Sequence, residues 1–175
     1  MIKKKLVSLF LDFLFIVLLI AGDQNSKALA ITHLKEQKPL ILIDKVLHLF
    51  YLENRGAAFG MMQNQQLFFI FMAALILLAI LYVFIKVPVQ KKYVYLHMFL
   101  VMIAAGAVGN MIDRIRFGYV VDFIYFILID FPIFNVADIY VTVGSLLLVL
   151  ILLFFYKEDD LRFLKLKIEN TNLKF

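Results

Sequence analysis

Two aspartates, Asp122 and Asp138, lie in surroundings where an acidic side chain is unusual. Asp122 interrupts the stretch 119–129, which is otherwise apolar and aromatic, and Asp138 lies three residues after Asn135 at the start of a long apolar run. Two carboxylates brought close together can share one proton, because like charges a few ångströms apart cannot both ionise cheaply. One is then a base that activates a water molecule, and the other is an acid that donates a proton to an amide carbonyl. That combination can hydrolyse a peptide bond.

The sequence lacks the residues of the other common hydrolytic centres. It contains no cysteine, which excludes disulfides, thiolate metal sites and a cysteine nucleophile. His33, His48 and His97 are scattered rather than spaced as metal ligands, and each is expected to be a surface or packing residue. No Walker loop and no Gly-x-Ser-x-Gly motif occurs. We therefore expect neither a metal ion nor another cofactor.

Other polar residues lie next to the ends of apolar runs, where ionisable groups are costly and have to be paired, hydrated or used. Asp23 and Lys27 are four residues apart, in the order that favours an ion pair along a helix. Asn110, Asp113 and Arg114 would share one face of a helix. Each group has a structural interpretation, as an ion pair or a capped helix end, and a functional one. The spacing alone supports both.

The same two interpretations apply to the residues around these groups. Gly106 and Gly109 would let another helix or a substrate approach the backbone closely. Asn135 is a favourable N-cap, and Asp138 would lie at the positive end of a helix dipole. A functional role is favoured most strongly for Asp122, which no helix end explains.

The elements that position these residues are predicted to be membrane helices. The 175-residue chain is 64% hydrophobic with a mean hydropathy of +0.93, whereas soluble chains are about 45–50% apolar. The runs 67–85 and 139–156 contain no Asp, Glu, Lys or Arg, and each approaches the ~20 residues that cross a bilayer. We predict one membrane domain, 1–175, with four transmembrane helices at about 6–30, 67–85, 93–112 and 137–156.

The first predicted span also has features of a cleavable signal peptide. Its apolar run follows Lys3, Lys4 and Lys5 and ends near the small residues Ala21 and Gly22. Cleavage would remove it. We favour its retention, because the helical pattern continues to about residue 31 and no small-x-small cleavage site of the usual kind is present.

The distribution of charge predicts that both termini are cytoplasmic. Eleven of the 18 basic residues fall on the side of the termini, which is the side where lysine and arginine accumulate. These eleven are Lys3, Lys4, Lys5, Lys86, Lys91, Lys92, Lys157, Arg162, Lys165, Lys167 and Lys174. Eight of the 13 acidic residues fall on the outer side or at its membrane border. Polar chemistry is therefore expected at the extracytoplasmic face.

Two segments outside the predicted spans remain to be placed. The segment 32–66 is long for a bare loop, and 40–51 within it is rich in Ile, Val, Leu and aromatic residues, which predicts a short β segment at the outer surface. The outer segment 114–136 contains a second aromatic and β-branched stretch, 118–134, which either pairs with the first or lies in the interface as an amphipathic element. The tail 157–175 is predicted to be a charged cytoplasmic end, helical or frayed.

Five blocks of sequence resemble one known family. They are Asp-Gln-Asn-Ser-Lys at 23–27, Asn-Arg-Gly-Ala-Ala-Phe-Gly at 54–60, Gly-Ala-Val-Gly-Asn-Met-Ile-Asp-Arg at 106–114, Gly-Tyr-Val-Val-Asp-Phe at 118–123 and Phe-Asn-Val-Ala-Asp at 134–138. In order and spacing, over about residues 1–156, the chain resembles bacterial lipoprotein signal peptidases (signal peptidase II). Those enzymes are membrane aspartic endopeptidases that remove signal peptides from prolipoproteins just before a diacylglyceryl-modified cysteine.

The resemblance implies a fold of four transmembrane helices with a small extracytoplasmic β cradle, in the bacterial cytoplasmic (inner) membrane. It also implies that Asp122 and Asp138 are the catalytic pair. The supporting residues that it implies are Asp23, Lys27, Asn54, Gly56, Asn110, Asp113, Arg114, Asn135 and Ala137. Two positions depart from the family pattern: Ser26 replaces the usual Thr, and Gly60 replaces the usual Ser. The loss of a hydroxyl at Gly60 removes any side-chain role there.

The expected partners are lipid-modified prolipoproteins and membrane lipids, with no nucleic acid, and the protein is expected to be a monomer. A small proton-coupled carrier is the main rival, and it predicts acidic residues distributed through the depth of the membrane. Asp12 is the only acidic residue in the core of a predicted span. A proton relay would therefore lack acidic residues at intermediate depths of the membrane. A purely structural protein would leave the clustering of Asn and Asp unexplained.

Overall fold

The structure, a computed structural model, describes residues 2–56 and 61–164. It contains four long helices and a three-stranded sheet. The helices are α1 Ile2–Leu34, α2 Gln66–Lys86, α3 Val94–Phe117 and α4 Val136–Phe154, and the strands are β1 Leu40–Ile43, β2 Leu47–Asn54 and β3 Val120–Phe126. Short 3-10 helices cover Lys91–Tyr93, Ile127–Ile129 and Glu158–Leu164. The predicted fold class, four membrane helices with a small sheet, is confirmed.

Helix α3 is the centre of the bundle. It packs against each of the other three helices, and half of its most apolar 18-residue window is buried, against 11% in the other three. All four helices are long and apolar enough to cross a bilayer. The many exposed Leu, Ile and Phe side chains of α1, α2 and α4 therefore face lipid, and the protein is a multi-pass membrane protein.

Close approach of α3 and α4 depends on glycines. In lipid, helices associate through packing and polar contacts rather than through the hydrophobic effect, so small residues at the interface matter more. A Cβ atom on Gly106 would lie 2.4 Å from the carbonyl oxygen of Ala137, and one on Gly144 would lie 3.0 Å from Cγ1 of Ile103. The two backbones can meet only because these side chains are absent.

The sheet covers the C-terminal end of α1. Its strands are antiparallel in the order β1, β2, β3, so the stretch after α3 pairs with the hairpin β1–β2. Helix α1 is 33 residues long, about 50 Å at 1.5 Å per residue, which exceeds the ~30 Å hydrocarbon core. Its last turn packs beneath the sheet, where Ala30 and Leu34 contact Val121 and Phe123 in a small buried cluster.

Helix α3 ends at Phe117, five residues beyond the end expected near residue 112. The run 113–117 is charged, and apolar content alone therefore placed it in the outer segment. Gly118 ends the helix in the left-handed region, with φ of 75°, and its N–H donates to the carbonyl of Arg114. The extra turns carry Asp113 and Arg114 as helical residues.

The segment after α4 folds back against the bundle as far as residue 164. The Tyr93 hydroxyl donates to the carbonyl of Asp160 over 2.9 Å, and the Tyr156 hydroxyl donates to the carbonyl of Lys92 over 2.8 Å. Lys92 also forms an ion pair with Asp160. The part of the tail that the structure describes is therefore docked, while the rest of the predicted tail lies outside the described residues.

Replacing Gly106 by alanine tests the contact between α3 and α4. The added methyl group would meet backbone and would have to push α4 away, so we expect Gly106→Ala to destabilise the protein by about 1–3 kcal/mol, the usual cost of overpacking. The measurement is the midpoint of thermal unfolding in detergent. Gly22→Ala is the matched control, since its Cβ would meet only the Tyr140 hydroxyl at 3.5 Å. Equal stability of the two variants would contradict this view of the interface.

Candidate active site

Asp122 and Asp138 are brought together by the residues just before α4. Asp122 lies on β3, and Asp138 lies in the first turn of α4. The N–H and carbonyl of Phe134 both bond to Ile124 in β3, so the chain enters α4 alongside that strand. This local pairing carries Asn135 and Asp138 to the side of Asp122.

Asn135 connects the two aspartates directly. Its side-chain amide donates to Oδ1 of Asp122 over 2.6 Å, and its backbone N–H donates to Oδ2 of Asp138 over 3.1 Å. Its side-chain oxygen accepts from the N–H of Asp138, which completes a capping box at the start of α4. Asn135 therefore caps α4 and holds the two aspartates through the same set of hydrogen bonds, so its structural and functional interpretations are both compatible with the structure.

The remaining carboxylate oxygens also accept hydrogen bonds from neutral amides. Asn54 at the end of β2 donates to Oδ2 of Asp122 over 2.8 Å, and Asn110 of α3 donates to Oδ1 of Asp138 over 2.8 Å. All four oxygens are thus held in place by donors without a formal charge. Such donors fix the geometry and leave the charge of the pair largely unneutralised.

The environment favours a shared proton. Asp122 is 1% exposed, and Asp138 is half-buried at the edge of a cavity. Burial and the nearby charge of Asp138 raise the pKa of Asp122 to about 7, against the opposing effect of the hydrogen bonds from Asn54 and Asn135. Near neutral pH, one carboxyl group of the pair can therefore act as an acid while the other acts as a base.

A buried cation lies directly behind the pair. Nζ of Lys27 is 2.9 Å from Oδ2 of Asp23, 3.0 Å from Oδ2 of Asp113 and 2.8 Å from Oδ1 of Asn110. The side chains of this ion triad, Asp23, Lys27 and Asp113, are at most 3% exposed. The three ammonium hydrogens match three acceptors, and Asn110 joins the triad to Asp138.

The ion triad also holds the backbone next to each aspartate of the pair. Oδ1 of Asp23 accepts the N–H of Ala137 over 2.9 Å. Oδ2 of Asp113 accepts the N–H of Val121 over 3.1 Å. Ala137 precedes Asp138, and Val121 precedes Asp122, so each carboxylate of the triad positions one carboxylate of the pair.

Gln24 is a member of this network that the sequence did not reveal. Its amide nitrogen lies within 3.2 Å of Oδ2 of Asp23, Oδ1 of Asp113 and the carbonyl of Gly109, and can donate to two of them at a time. A Cβ atom on Gly109 would lie 2.5 Å from Oδ2 of Asp23, so the close approach expected there is made by a carboxylate. Glutamine is common on exposed helix faces, and nothing local in the sequence marks Gln24 as a partner of two carboxylates.

Arg114 and Gly56 lie at the mouth of the site. Arg114 donates to the carbonyls of Asn110 and Gly56 at 3.3 and 3.4 Å, and its guanidinium lies 4.7 Å from the ring centroid of Phe69. Gly56 in turn donates its N–H to the side chain of Asn54. Within the described ranges, Arg114 forms no ion pair, and its buried Nε–H has no acceptor. Its positive charge is available to a bound group.

A cavity of about 400 Å³ opens beside the pair. One wall is polar and consists of Asn54, Asn110, Arg114, Asp122 and Asp138; the other is apolar and includes Phe131, Phe134, Ile139 and Val143. In the described part of the chain, no three His, Asp or Glu side chains converge as metal ligands would. The cavity therefore offers a peptide group a pair of carboxylates on one side and an apolar surface on the other.

Residues 15–154 match the family model described as signal peptidase (SPase) II. The chain belongs to the signal peptidase II family. It is 41% identical over 149 residues to the lipoprotein signal peptidase of Clostridioides difficile (strain 630), covering 85% of this chain and 99% of that protein. It is 46% identical over 133 residues to the lipoprotein signal peptidase of Caldanaerobacter subterraneus subsp. tengcongensis, covering 75% and 88% of the two chains.

Solved structures agree with this family membership. A bacterial membrane enzyme determined by the in meso method at 1.9 Å resolution superposes with a TM-score of 0.71 at 33% identity, covering 83% of this chain and 94% of that chain. A second, at 2.3 Å resolution, gives a TM-score of 0.72 at 34% identity. The resemblance to the signal peptidase II family seen in the sequence is therefore confirmed, and the protein is a peptidase of that family.

All the site residues singled out in the sequence lie in one connected network of hydrogen bonds and ion pairs. They are Asp122, Asp138, Asp23, Lys27, Asn54, Gly56, Asn110, Asp113, Arg114, Asn135 and Ala137. Asp113 faces Lys27 and the strand β3, and it is Asn110 that spans the gap between Lys27 and Asp138. Gly60 lies outside the described residues.

Removing the buried cation should destabilise the fold. In Lys27→Met, Asp23 and Asp113 would remain buried without their partner, which typically costs about 3–5 kcal/mol. The control is Lys35→Met, because Lys35 pairs with Glu53 at 3.3 Å with both side chains more than 30% exposed, and such pairs are worth about 0–1 kcal/mol. Both are measured by denaturant unfolding in detergent. A loss no larger in Lys27→Met than in the control would show that the triad does not hold the fold.

Proposed function

We propose that this chain is an aspartic endopeptidase that removes signal peptides from prolipoproteins, with Asp122 and Asp138 as its catalytic residues. The observation that carries the proposal is the pair itself. Both carboxyl groups border one cavity, all four of their oxygens are held by neutral amides, and the pKa of Asp122 is raised to about 7.

The reaction needs only the pair, a water molecule and the scissile amide. The ionised carboxylate takes a proton from water as the water oxygen attacks the carbonyl carbon, and the protonated carboxyl donates to the carbonyl oxygen. The tetrahedral intermediate then collapses: the C–N bond breaks, and the leaving nitrogen takes a proton from the carboxyl group that the water protonated. One hydroxyl of the intermediate returns its proton to the carboxylate that had protonated the carbonyl oxygen. The products are therefore a carboxylic acid and an amine, and the pair again holds one shared proton.

The neighbouring groups position the reactants. Asn54, Asn110 and Asn135 hold the carboxyl groups, so little reorganisation accompanies proton transfer. Arg114, at the mouth of the cavity without an ion-pair partner among the described residues, is placed to bind a carbonyl of the substrate backbone. Arg114 already donates to the carbonyl of Gly56. The same guanidinium group can therefore bind the backbone of the enzyme and that of the substrate at once.

The shape of the cavity suits a lipid-modified substrate. Phe131, Ile139 and Val143 form an apolar wall next to the carboxyl groups, and α4 continues from that wall as a lipid-facing helix. A diacylglyceryl group on cysteine can lie against this surface with its chains in the bilayer, which places the bond before the cysteine at the pair. The relatives in Clostridioides difficile and Caldanaerobacter are named for the same activity.

The proposed location is the bacterial cytoplasmic membrane, with both termini in the cytoplasm and the pair at the extracytoplasmic face. The end of the bundle opposite the pair carries Lys3, Lys4, Lys5, Lys86, Lys91 and Lys92, as expected for a cytoplasmic side. One chain supplies every residue of the site, in agreement with activity as a monomer.

Asp122→Asn and Asp138→Asn should each abolish most activity. The change keeps the volume of the side chain and removes its ability to exchange a proton, so we expect a loss of ~10² to 10⁴ in kcat or more, with the double variant scarcely worse than either single one. The assay is cleavage of a diacylglyceryl-cysteine precursor by purified protein in detergent, alongside thermal unfolding.

Asp130→Asn is the matched control for this assay. Asp130 lies in the same outer segment and is exposed, and among the described residues its carboxylate accepts a hydrogen bond from the hydroxyl of Tyr125 alone. It should retain nearly full turnover. Near-normal turnover by a folded Asp122→Asn or Asp138→Asn variant would refute the aspartic mechanism.

Stability should fall as the pH rises toward neutrality. The raised pKa of Asp122, about 7 in the folded protein, means that folding takes up a proton between pH ~4, the value for an unfolded aspartate, and pH ~7. This contribution to stability is fully present below pH ~4 and is lost as the pH passes ~7. Thermal unfolding of the wild type and of Asp122→Asn from pH 4 to 8 tests it. The variant should show a smaller fall, and parallel curves would contradict the assignment.

A further inference from the structure

A second cavity, larger than the one beside the carboxylate pair, lies at the opposite end of the helix bundle. It is a groove of about 680 Å³ between α1 and α3, bounded at one end by the loop that precedes α3. Ser8 and Leu19 mark its extent along α1, Val94 and Met102 mark it along α3, and Lys91 lies in the short 3-10 helix before α3. None of its lining residues belongs to the network around Asp122 and Asp138, so the groove is separate from the candidate active site.

The length of the groove matches one leaflet of a bilayer. The eleven steps from Ser8 to Leu19 rise by about 16 Å along the helix, and half of the hydrocarbon core is about 15 Å. The lower end opens at the basic end of the bundle, beside Gln90 and Lys91. The groove therefore begins at the membrane surface and ends near the midplane.

The walls are suited to a hydrocarbon chain. Leu11 and Phe15 of α1 face Val94, Met98 and Val101 of α3 across the groove. Apolar side chains on both helices therefore give the groove a surface against which a hydrocarbon chain can pack.

The polar pair inside the groove does not conflict with an apolar occupant. Nδ1 of His97 lies 2.7 Å from Oδ2 of Asp12, and their side chains are only 13% and 12% exposed. The His97 ring also stacks on Phe84 at 5.6 Å between centroids. The two polar groups therefore pair with each other, and their pairing does not depend on the occupant of the groove.

A positive charge marks the open end. Lys91 lines the mouth and has no ion-pair or hydrogen-bond partner among the described residues. Its neighbours are occupied: Lys92 pairs with Asp160, Lys5 donates to the carbonyl of Val87, and Lys86 lies over the ring of Tyr82. Basic pockets between helices on the cytoplasmic side are suited to anionic lipid head groups.

We propose that this groove binds an anionic phospholipid of the leaflet at the basic end of the bundle. One acyl chain lies between α1 and α3, and the phosphate group is held at Lys91. Binding of this lipid would hold the N-terminal half of α1 against α3. The ion triad does not connect the two helices at that end of the protein. This lipid-binding proposal does not depend on the proposed peptidase activity.

The absence of tryptophan from the chain permits a direct test. Met98→Trp places a single tryptophan on the groove, and the protein is reconstituted in phosphatidylcholine vesicles that contain a fixed fraction of brominated phosphatidylglycerol or brominated phosphatidylcholine. Bromine quenches only adjacent tryptophan. Since one lysine contributes about 1 kcal/mol near an anionic surface, we expect roughly five-fold stronger association of the anionic quencher.

Two variants make the result specific. Leu78→Trp on α2 lies at a similar depth and is 62% exposed to lipid, and both quenchers should affect it equally. Adding Lys91→Gln to Met98→Trp should abolish the preference for the anionic quencher. Leu11→Trp, on the facing wall, replaces Met98→Trp if that variant does not fold.

Equal quenching of Met98→Trp by the two lipids, or a preference that survives Lys91→Gln, would overturn the proposal. Weak quenching by both lipids, with emission that depends on the protein concentration in the vesicles, would show that a second copy of the chain occupies the groove, and it would also overturn it.

Discussion

The structure depends on one lysine ammonium buried between two carboxylates. Lys27 is 2% exposed in a bundle surrounded by apolar side chains, where an unpaired charge would be prohibitive. Asp23, Asp113 and Asn110 satisfy it from two helices, and this requirement fixes how α1 approaches α3. The carboxylates have oxygens to spare, and these bind the N–H groups of Val121 and Ala137. One electrostatic requirement therefore positions the sheet and α4 as well.

This arrangement separates two tasks that would otherwise conflict. Full charges are used behind the pair, where strong interactions are needed to hold four elements together. Neutral amides are used at the pair itself, where a lysine in direct contact would keep both carboxylates ionised and remove the shared proton. Asn110 links the two regions, because its oxygen accepts from Lys27 while its nitrogen donates to Asp138. The cation thus influences the pair through an amide rather than by contact.

The membrane sets the remaining constraints. Without a hydrophobic force between helices, α3 and α4 rely on the bare backbones of Gly106 and Gly144 for close packing. Asp138 lies in the first turn of α4, so the pair is at an end of that helix rather than midway along it. The carrier alternative needs ionisable groups throughout the membrane depth, yet Asp12 is paired with His97 near the basic end and lies eleven residues from Asp23 along α1.

The sequence by itself determined what depends on local spacing. Apolar runs defined four membrane helices, the four-residue interval between Asp23 and Lys27 indicated an ion pair, and the interval between Asn135 and Asp138 indicated a helix cap. The resemblance of five blocks identified the family, and it implied the set of site residues that the proposal uses. Tertiary structure alone decided the contacts between distant segments: Asp113 against Lys27, Gln24 between two carboxylates, and the pairing of β3 with β2. These contacts form because a buried charge and an unpaired strand edge must be satisfied by other groups. The sequence shows that such a partner is needed, but it does not show which distant residue supplies it.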